Sequence, residues 1–171
     1  KYFIDQYKKI VKLIKLDNFK RKIKSDNNLD YENIISLHFR IGDYINIQDH
    51  HPLMSIEYYK NALNKIQENT NKSDWTVLYF NQIEDDKLVD DMIKNLKSEY
   101  PNLTFTQTSH ELEDWEQMLQ MSLCHHNIIA NSTFSWWGAY FNDNNEKIVC
   151  YPDVWFGPKL QNKNTKELFP V

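Results

Sequence analysis

The sequence predicts an α/β fold in three layers, with a parallel sheet of about five strands covered by helices on both faces, and three observations predict it. Five short runs rich in β-branched, aliphatic and aromatic residues recur along the 171-residue chain. Amphipathic helical segments separate consecutive runs, and none of these elements has a Pro in its interior. A strand followed by a helix and another strand implies parallel pairing, and a parallel sheet is buried on both faces.

The elements follow in order. From Tyr2 to Ile23, apolar residues at Phe3, Ile4, Tyr7, Ile10, Val11, Ile14 and Phe19 recur at helical spacing with Lys and Arg between them, which predicts one amphipathic helix with a solvated basic face. A polar turn follows from Ser25 to Asp30, so residues 1–30 read as a connecting or packing helix and turn ahead of a domain over 31–171. Ile34 to Phe39 is a buried strand and Arg40 to Leu53 a loop. Ser55 to Asn69 is a helix entered at Ser55, with Glu57 in its first turn. Thr76 to Phe80 is a strand, Asp85 to Tyr100 a helix stopped by Pro101, and Leu103 to Thr106 a short strand. Glu113 to Cys124 is a helix, Asn127 to Ala130 a strand, Ser132 to Phe141 a helix, and Lys147 to Tyr151 the last strand. Ligands of such sheets sit beyond the carboxyl ends of the strands.

Composition narrows the function. The chain is 41% hydrophobic and 26% charged, which suits one globular domain, and its 24 acidic against 20 basic residues give a net charge of -4 that does not favour a nucleic acid as partner. No stretch approaches the roughly 20 apolar residues of a membrane span. Two cysteines, Cys124 and Cys150, are too few for a disulfide scaffold. Of the 20 basic residues only Arg21 and Arg40 are Arg, so an Arg in a site-like context marks a need for a planar, bidentate donor. The chain begins at Lys1 and reads as a piece of something longer.

Three constellations can carry chemistry. In His38-Phe39-Arg40-Ile41-Gly42-Asp43-Tyr44, a strand runs out into a loop holding one rare Arg, a His two residues earlier on the same pleat face, a Gly and an Asp. Arg40 can fork onto a diphosphate, or pair with Asp43 to close the loop; both readings stand. In Asn131-Ser132-Thr133-Phe134-Ser135-Trp136-Trp137-Gly138, an apolar strand feeds small hydroxyl residues that open a helix, and the amides of a helix N-terminus are an anion site. A plain N-cap at Asn131 or Ser132, with Phe134 and both Trp in the core, is compatible with that. Glu111, Glu113, Asp114 and Glu116 complement a helix macrodipole, or offer one carboxylate to the paired donors of a guanine edge.

Several chemistries are excluded. There is no GxxxxGK[ST] phosphate loop and no GxSxG elbow, and nothing supports a Ser or Cys nucleophile. His50-His51 and His125-His126 lack metal-ligand spacing, so no metal is expected. The glycosylation sequons at Asn71, Asn102 and Asn131 are matches expected by chance in an Asn-rich chain.

The first constellation resembles the H-x-R-R-x-D signature of α-1,2- and α-1,6-fucosyltransferases. The second, Ile128 through Ala139, resembles the second signature of the α-1,2 branch, glycosyltransferase family 11, as do Trp115-Glu116-Gln117-Met118, Pro152-Asp153-Val154-Trp155 and the opening Lys-Tyr-Phe. The resemblance implies a GT-B-like enzyme of two Rossmann-like halves, of which this chain is the C-terminal, donor-binding half, the N-terminal half being absent from it. It implies metal-independent transfer of fucose from GDP-fucose, with inversion, to a hydroxyl of a glycan acceptor, and no cofactor.

By motif position, Arg40 holds the β-phosphate, His38 and Gly42 lie near the nucleotide, and Asn131, Ser132, Thr133, Phe134 and Ser135 form the diphosphate segment. Glu116 takes the acidic position that faces guanine in related enzymes. Ile41 stands where the signature has its second Arg, a feature resembling protein O-fucosyltransferases. Asp43 and Asp49, both in the Arg40 loop, are candidates for the base that takes the acceptor proton, the alternatives being that Asp43 only orients Arg40 and that the base comes from the absent half. Two further hypotheses are a non-catalytic module binding a nucleotide sugar or glycan, and a transferase using another nucleotide deoxysugar.

Overall fold

The computed structural model describes residues 6–160. Five strands, β1 (Ile34–His38), β2 (Thr76–Phe80), β3 (Thr104–Gln107), β4 (His126–Ile128) and β5 (Val149–Cys150), make one sheet in the order β3-β2-β1-β4-β5. Every pairing is parallel, with Ile34 opposite Thr76 and His38 opposite Phe80 on one side of β1, and Ile35 opposite His126 on the other. The strand order reverses between β1 and β4, the point at which sheets of this kind open a crevice at their carboxyl ends.

Alternation of side chains along the strands divides the core. Ile35, Leu37, Val77, Tyr79, Phe105 and Ile128 pack with Tyr59, Leu63 and Ile66 of α3 (Ile56–Thr70) and with Val89, Ile93 and Leu96 of α4 (Asp86–Glu99). On the other face Ile34, Leu78 and Phe80 meet Met121 of α5 (Asp114–Leu123) and Cys124. α6 (Thr133–Phe141) closes onto α5 at Gly138, where a Cβ would lie 2.9 Å from the Met121 Cβ. These are the three expected layers.

The expected helix over Tyr2 to Ile23 is two helices. Lys15 takes a left-handed conformation (φ 54°) and separates α1 (Tyr7–Leu13) from α2 (Leu16–Asp26). The break re-aims the chain so that Leu16 and Ile23 bury against Leu119, Tyr140 and Phe141, adding an outer layer on α5 and α6. The basic face is not wholly solvated either: Lys20 is buried, its Nζ donating to the Phe141 carbonyl at 2.9 Å and pairing with Asp143 at 2.8 Å. Residues 2–5 of that helix lie outside the described residues.

Other boundaries move little. Ser55 caps α3 by accepting from the Tyr58 N–H, a 3-10 turn over Ile83–Asp85 leads into α4, and β4 and β5 are shorter than their apolar runs. The loop after β1 contains a 3-10 turn over Gly42–Asn46.

A buried polar junction ties the far layers to the sheet. Asn127 donates to Ser36 Oγ (2.7 Å) and the Met121 carbonyl (2.9 Å) and accepts from Asn142 Nδ2 (2.7 Å), which also reaches the Cys124 carbonyl. Each buried amide group is thereby satisfied, as burial requires.

Candidate functional site

A cleft of about 510 Å³ opens at the carboxyl ends of β1 and β2 and at the N-terminus of α6. His38 and Arg40 come from the end of β1, Phe80 to Glu84 from the turn after β2, His110 and Leu112 from the loop after β3, Asp114 and Gln117 from α5, and Ser132, Thr133 and Phe134 from the start of α6. The sheet's reversal of strand order thus brings the two sequence constellations into one cavity.

Arg40 is held from both sides. Its Nη1 donates to Gln82 Oε1 at 2.5 Å, its Nη2 pairs with the exposed Asp43, and its guanidinium lies 4.7 Å from the centre of the Tyr44 ring. The Arg40–Asp43 pair closes the loop while leaving other guanidinium N–H groups free for a ligand, so the two readings of this residue coexist.

Gly42 has φ +38°, and its N–H donates to the buried Asp85 Oδ2 at 2.9 Å. A Cβ there would meet Gln82 Oε1 at 2.5 Å. Ile41, in place of a second Arg, is buried in the core beneath the loop.

His38 is buried, and its ring lies 5.5 Å from that of Phe134. Burial, reinforced by the nearby Arg40 charge, pushes its pKa down to about 3. It is a neutral imidazole at neutral pH, with Nδ1 unpartnered.

On the α6 side, Ser132 is the N-cap, its Oγ accepting from the Phe134 N–H at 3.3 Å, and it lines the cleft with Thr133 and Phe134. The other residues of that segment do not line it. Ser135 turns inward to donate to the Ser132 carbonyl at 3.4 Å. Asn131 is buried and donates to the carbonyls of Pro52 (2.9 Å) and Trp155 (3.2 Å), clamping the β1 loop and the C-terminal segment together.

Two acidic candidates are placed elsewhere. Glu116 forms a capping box with Glu113, accepting from the Glu113 N–H at 3.0 Å, and the carboxylate that α5 presents to the cleft is Asp114. Asp49 pairs with Lys159 at 3.1 Å and does not line the cleft.

The turn after β2 escaped the sequence reading. Asp86 Oδ1 collects Asn81 Nδ2 (2.7 Å), Gln107 Nε2 (2.8 Å) and His110 Nε2 (3.0 Å). Burial pushes the Asp86 pKa up, but these donors and the His110 charge outweigh it, and the net shift is downward. The signal available in the sequence was position: Asn81 and Gln82 directly follow β2 and His110 lies in the loop after β3, where ligands of such sheets bind. Among the described residues no three His, Cys, Asp or Glu side chains are grouped to hold a metal ion, and no helix is long and apolar enough to cross a membrane.

Fold and cleft together define a Rossmann-like α/β domain whose crevice brings together an arginine and a helix N-terminus. The chain belongs to glycosyl transferase family 11, whose model matches residues 2–166. It is 33% identical over 138 residues to the O-antigen biosynthesis glycosyltransferase WbnK of Escherichia coli, covering 79% of this chain and 43% of that protein. It is 26% identical over 161 residues to an alpha-1,2-colitosyltransferase of Escherichia coli, covering 91% of this chain and 53% of that protein. The chain therefore spans about half the length of the curated relatives it matches. Among solved structures it is similar to POFUT1 in complex with GDP, at a TM-score of 0.49 and 13% identity, over 82% of this chain and 46% of that one.

Proposed function

We propose that this chain is the donor-binding half of an inverting, metal-independent glycosyltransferase of GT-B-like architecture. In this reading it moves fucose from GDP-fucose to a sugar hydroxyl in an α-1,2-fucosyltransferase-like reaction. The observation that carries the proposal is the convergence of Arg40 and the α6 N-terminus on one cleft, at the reversal of strand order in a chain of this family. The acceptor side of the cleft comes from another part of a longer protein.

The geometry supports a chemistry of leaving-group stabilisation. Breaking the bond from the sugar C1 to the diphosphate builds negative charge on the β-phosphate and oxocarbenium-like charge on the ring. Arg40, fixed by Asp43 and Gln82, and the amide end of α6 present preorganised donors to that charge, an effect for which loss of one donor costs about 10²–10³ in rate. Asp43 orients Arg40, and neutral His38 lines the nucleotide side without adding charge. Asp49, paired with Lys159 at the surface, and a carboxylate from the other half of the protein are the candidates left for the base that takes the acceptor proton.

The relative named for colitosyl transfer supports a second reading of the donor, in which a nucleotide deoxysugar other than GDP-fucose is used. Calorimetric titration with GDP, GDP-fucose, UDP and dTDP, on the chain and on Arg40→Ala, tests the proposal. Guanine-nucleotide binding that Arg40→Ala abolishes is the expected result, and GDP affinity unaffected by that substitution overturns it.

A further inference from the structure

Resting on that reading, we infer that Gln82 is a ligand-contacting residue of the cleft: its amide oxygen fixes Arg40 while its amide nitrogen donates to the same anionic group of the ligand. A guanidinium is only a donor, so the atom 2.5 Å from Arg40 Nη1 is the oxygen of the Gln82 amide. The two N–H groups of Nε2 then have no hydrogen-bond partner among the described residues, and Gln82 is exposed and lines the cleft.

The side chain stands on a prepared base. The Gln82 carbonyl accepts from the Asp85 N–H (2.9 Å) and from Asn81 Nδ2 (2.8 Å), and Asn81 is held in turn by Asp86 and Gln107. From the same turn, Asp85 holds the Gly42 N–H, and only the missing Cβ of Gly42 leaves room for the Gln82 oxygen. The turn after β2 therefore fixes both the arginine and the loop that carries it.

Charge explains why an amide serves here. Arg40 already pairs with Asp43. Asp43 balances the Arg40 charge, so a second carboxylate would leave the cluster net negative and repel a diphosphate, whereas an amide accepts from the guanidinium at no charge and adds donors of its own. The ligand group is thus an oxyanion bound jointly by Arg40 and Gln82, which for a nucleoside diphosphate is its diphosphate.

The test compares Gln82→Leu, Gln82→Glu and Arg40→Ala by titration with GDP and with inorganic pyrophosphate, with thermal midpoints confirming that each variant folds. Both Gln82 variants are expected to weaken GDP and pyrophosphate about 10- to 100-fold, Gln82→Glu at least as much as Gln82→Leu. If Gln82 merely holds Arg40, Gln82→Leu costs no further pyrophosphate affinity when added to Arg40→Lys, and that outcome in the double variant overturns the inference; a direct contact weakens the double variant further. If GDP affinity is indifferent to Arg40→Ala but sensitive to Gln82, the Arg40 donor-site reading fails separately. A chain that binds neither probe overturns both.

Discussion

Two buried histidines stand at opposite ends of the sheet, His38 where β1 ends and His126 where β4 begins. By titration they are twins. Burial, with Arg40 adding, takes His38 to about 3; burial, with His125 and Lys72 adding, takes His126 to about 4. Each leaves one ring nitrogen without a hydrogen-bond partner.

Their surroundings differ. His126 Nδ1 accepts from the Ile148 N–H at 3.0 Å, and its ring packs on Trp75 (4.8 Å) and His125 (4.5 Å), with Lys72 lying 4.1 Å over Trp75. Those rings pack beside β4 and, with Lys72, Glu146 and Ile148, line a second cavity of about 440 Å³. His38 opens onto a cleft too, but one shared with an arginine and a helix N-terminus. A depressed imidazole marks burial, and both ends have space; what sets the His38 end apart is the convergence of an arginine and a helix N-terminus on that space.

The largest expected effects separate the two ends. Arg40→Ala should cost at least two charge-assisted hydrogen bonds to a diphosphate, or about 100-fold or more in GDP affinity. It should change stability by less than about 1 kcal/mol, because its partner Asp43 is exposed. His126→Ala should do the converse, lowering unfolding free energy by about 2–4 kcal/mol through lost packing while the folded protein binds GDP normally. Denaturant midpoints and calorimetry on the two variants give the crossed pattern, and weakened GDP binding by folded His126→Ala breaks the contrast.

The sheet and the helices outside it were unequally legible in the sequence. All five strands and their parallel order of crossovers follow from apolar runs and helix signals, because a sheet buried on both faces must write itself as such runs. The Lys15 break was invisible, since a Lys in a left-handed conformation is imposed by the packing of Leu16 and Ile23, not by local preference.

At the site, Arg40, Ser132 and Thr133 were readable because rare or capping residue types fall where strands end. Gln82, Asn81 and His110 were not: each is an ordinary polar residue whose role exists only through contacts made across the fold, with Arg40, Asp86 and Gln107. Asn131 and Ser135 lie in the recognisable segment, but Asn131 turns to the Pro52 and Trp155 carbonyls and Ser135 to the Ser132 carbonyl, while Ser132 and Thr133 face the cleft.

Acid sharpens the comparison at intermediate size. Both imidazoles have folded pKa values below the unfolded value of about 6.5, so between these limits the unfolded state binds more protons and stability rises with pH. Stability is therefore lost as pH falls from about 6.5 toward 4, with a slope of up to about 1.4 kcal/mol per pH unit for each imidazole. Urea midpoints between pH 7 and 5 should show His126→Asn removing one share of that slope. Saturating GDP should flatten only the His38 share, because an anion in the cleft favours the protonated ring.

The smallest effect asks how the α6 end works. Ser132 both caps α6 and lines the cleft, so Ser132→Ala should cost about 1 kcal/mol of stability through the lost bond to the Phe134 N–H. Ser132→Asp keeps a good cap and adds favourable charge to the helix dipole, so stability should be retained or raised. The same carboxylate then stands where the diphosphate would lie, and GDP affinity should fall by more than in Ser132→Ala. Thermal midpoints and titrations of the two variants must therefore diverge in opposite directions. If Ser132→Asp binds GDP as well as the parent does, the helix end is only a cap and the anion rests on the Arg40 side of the cleft alone.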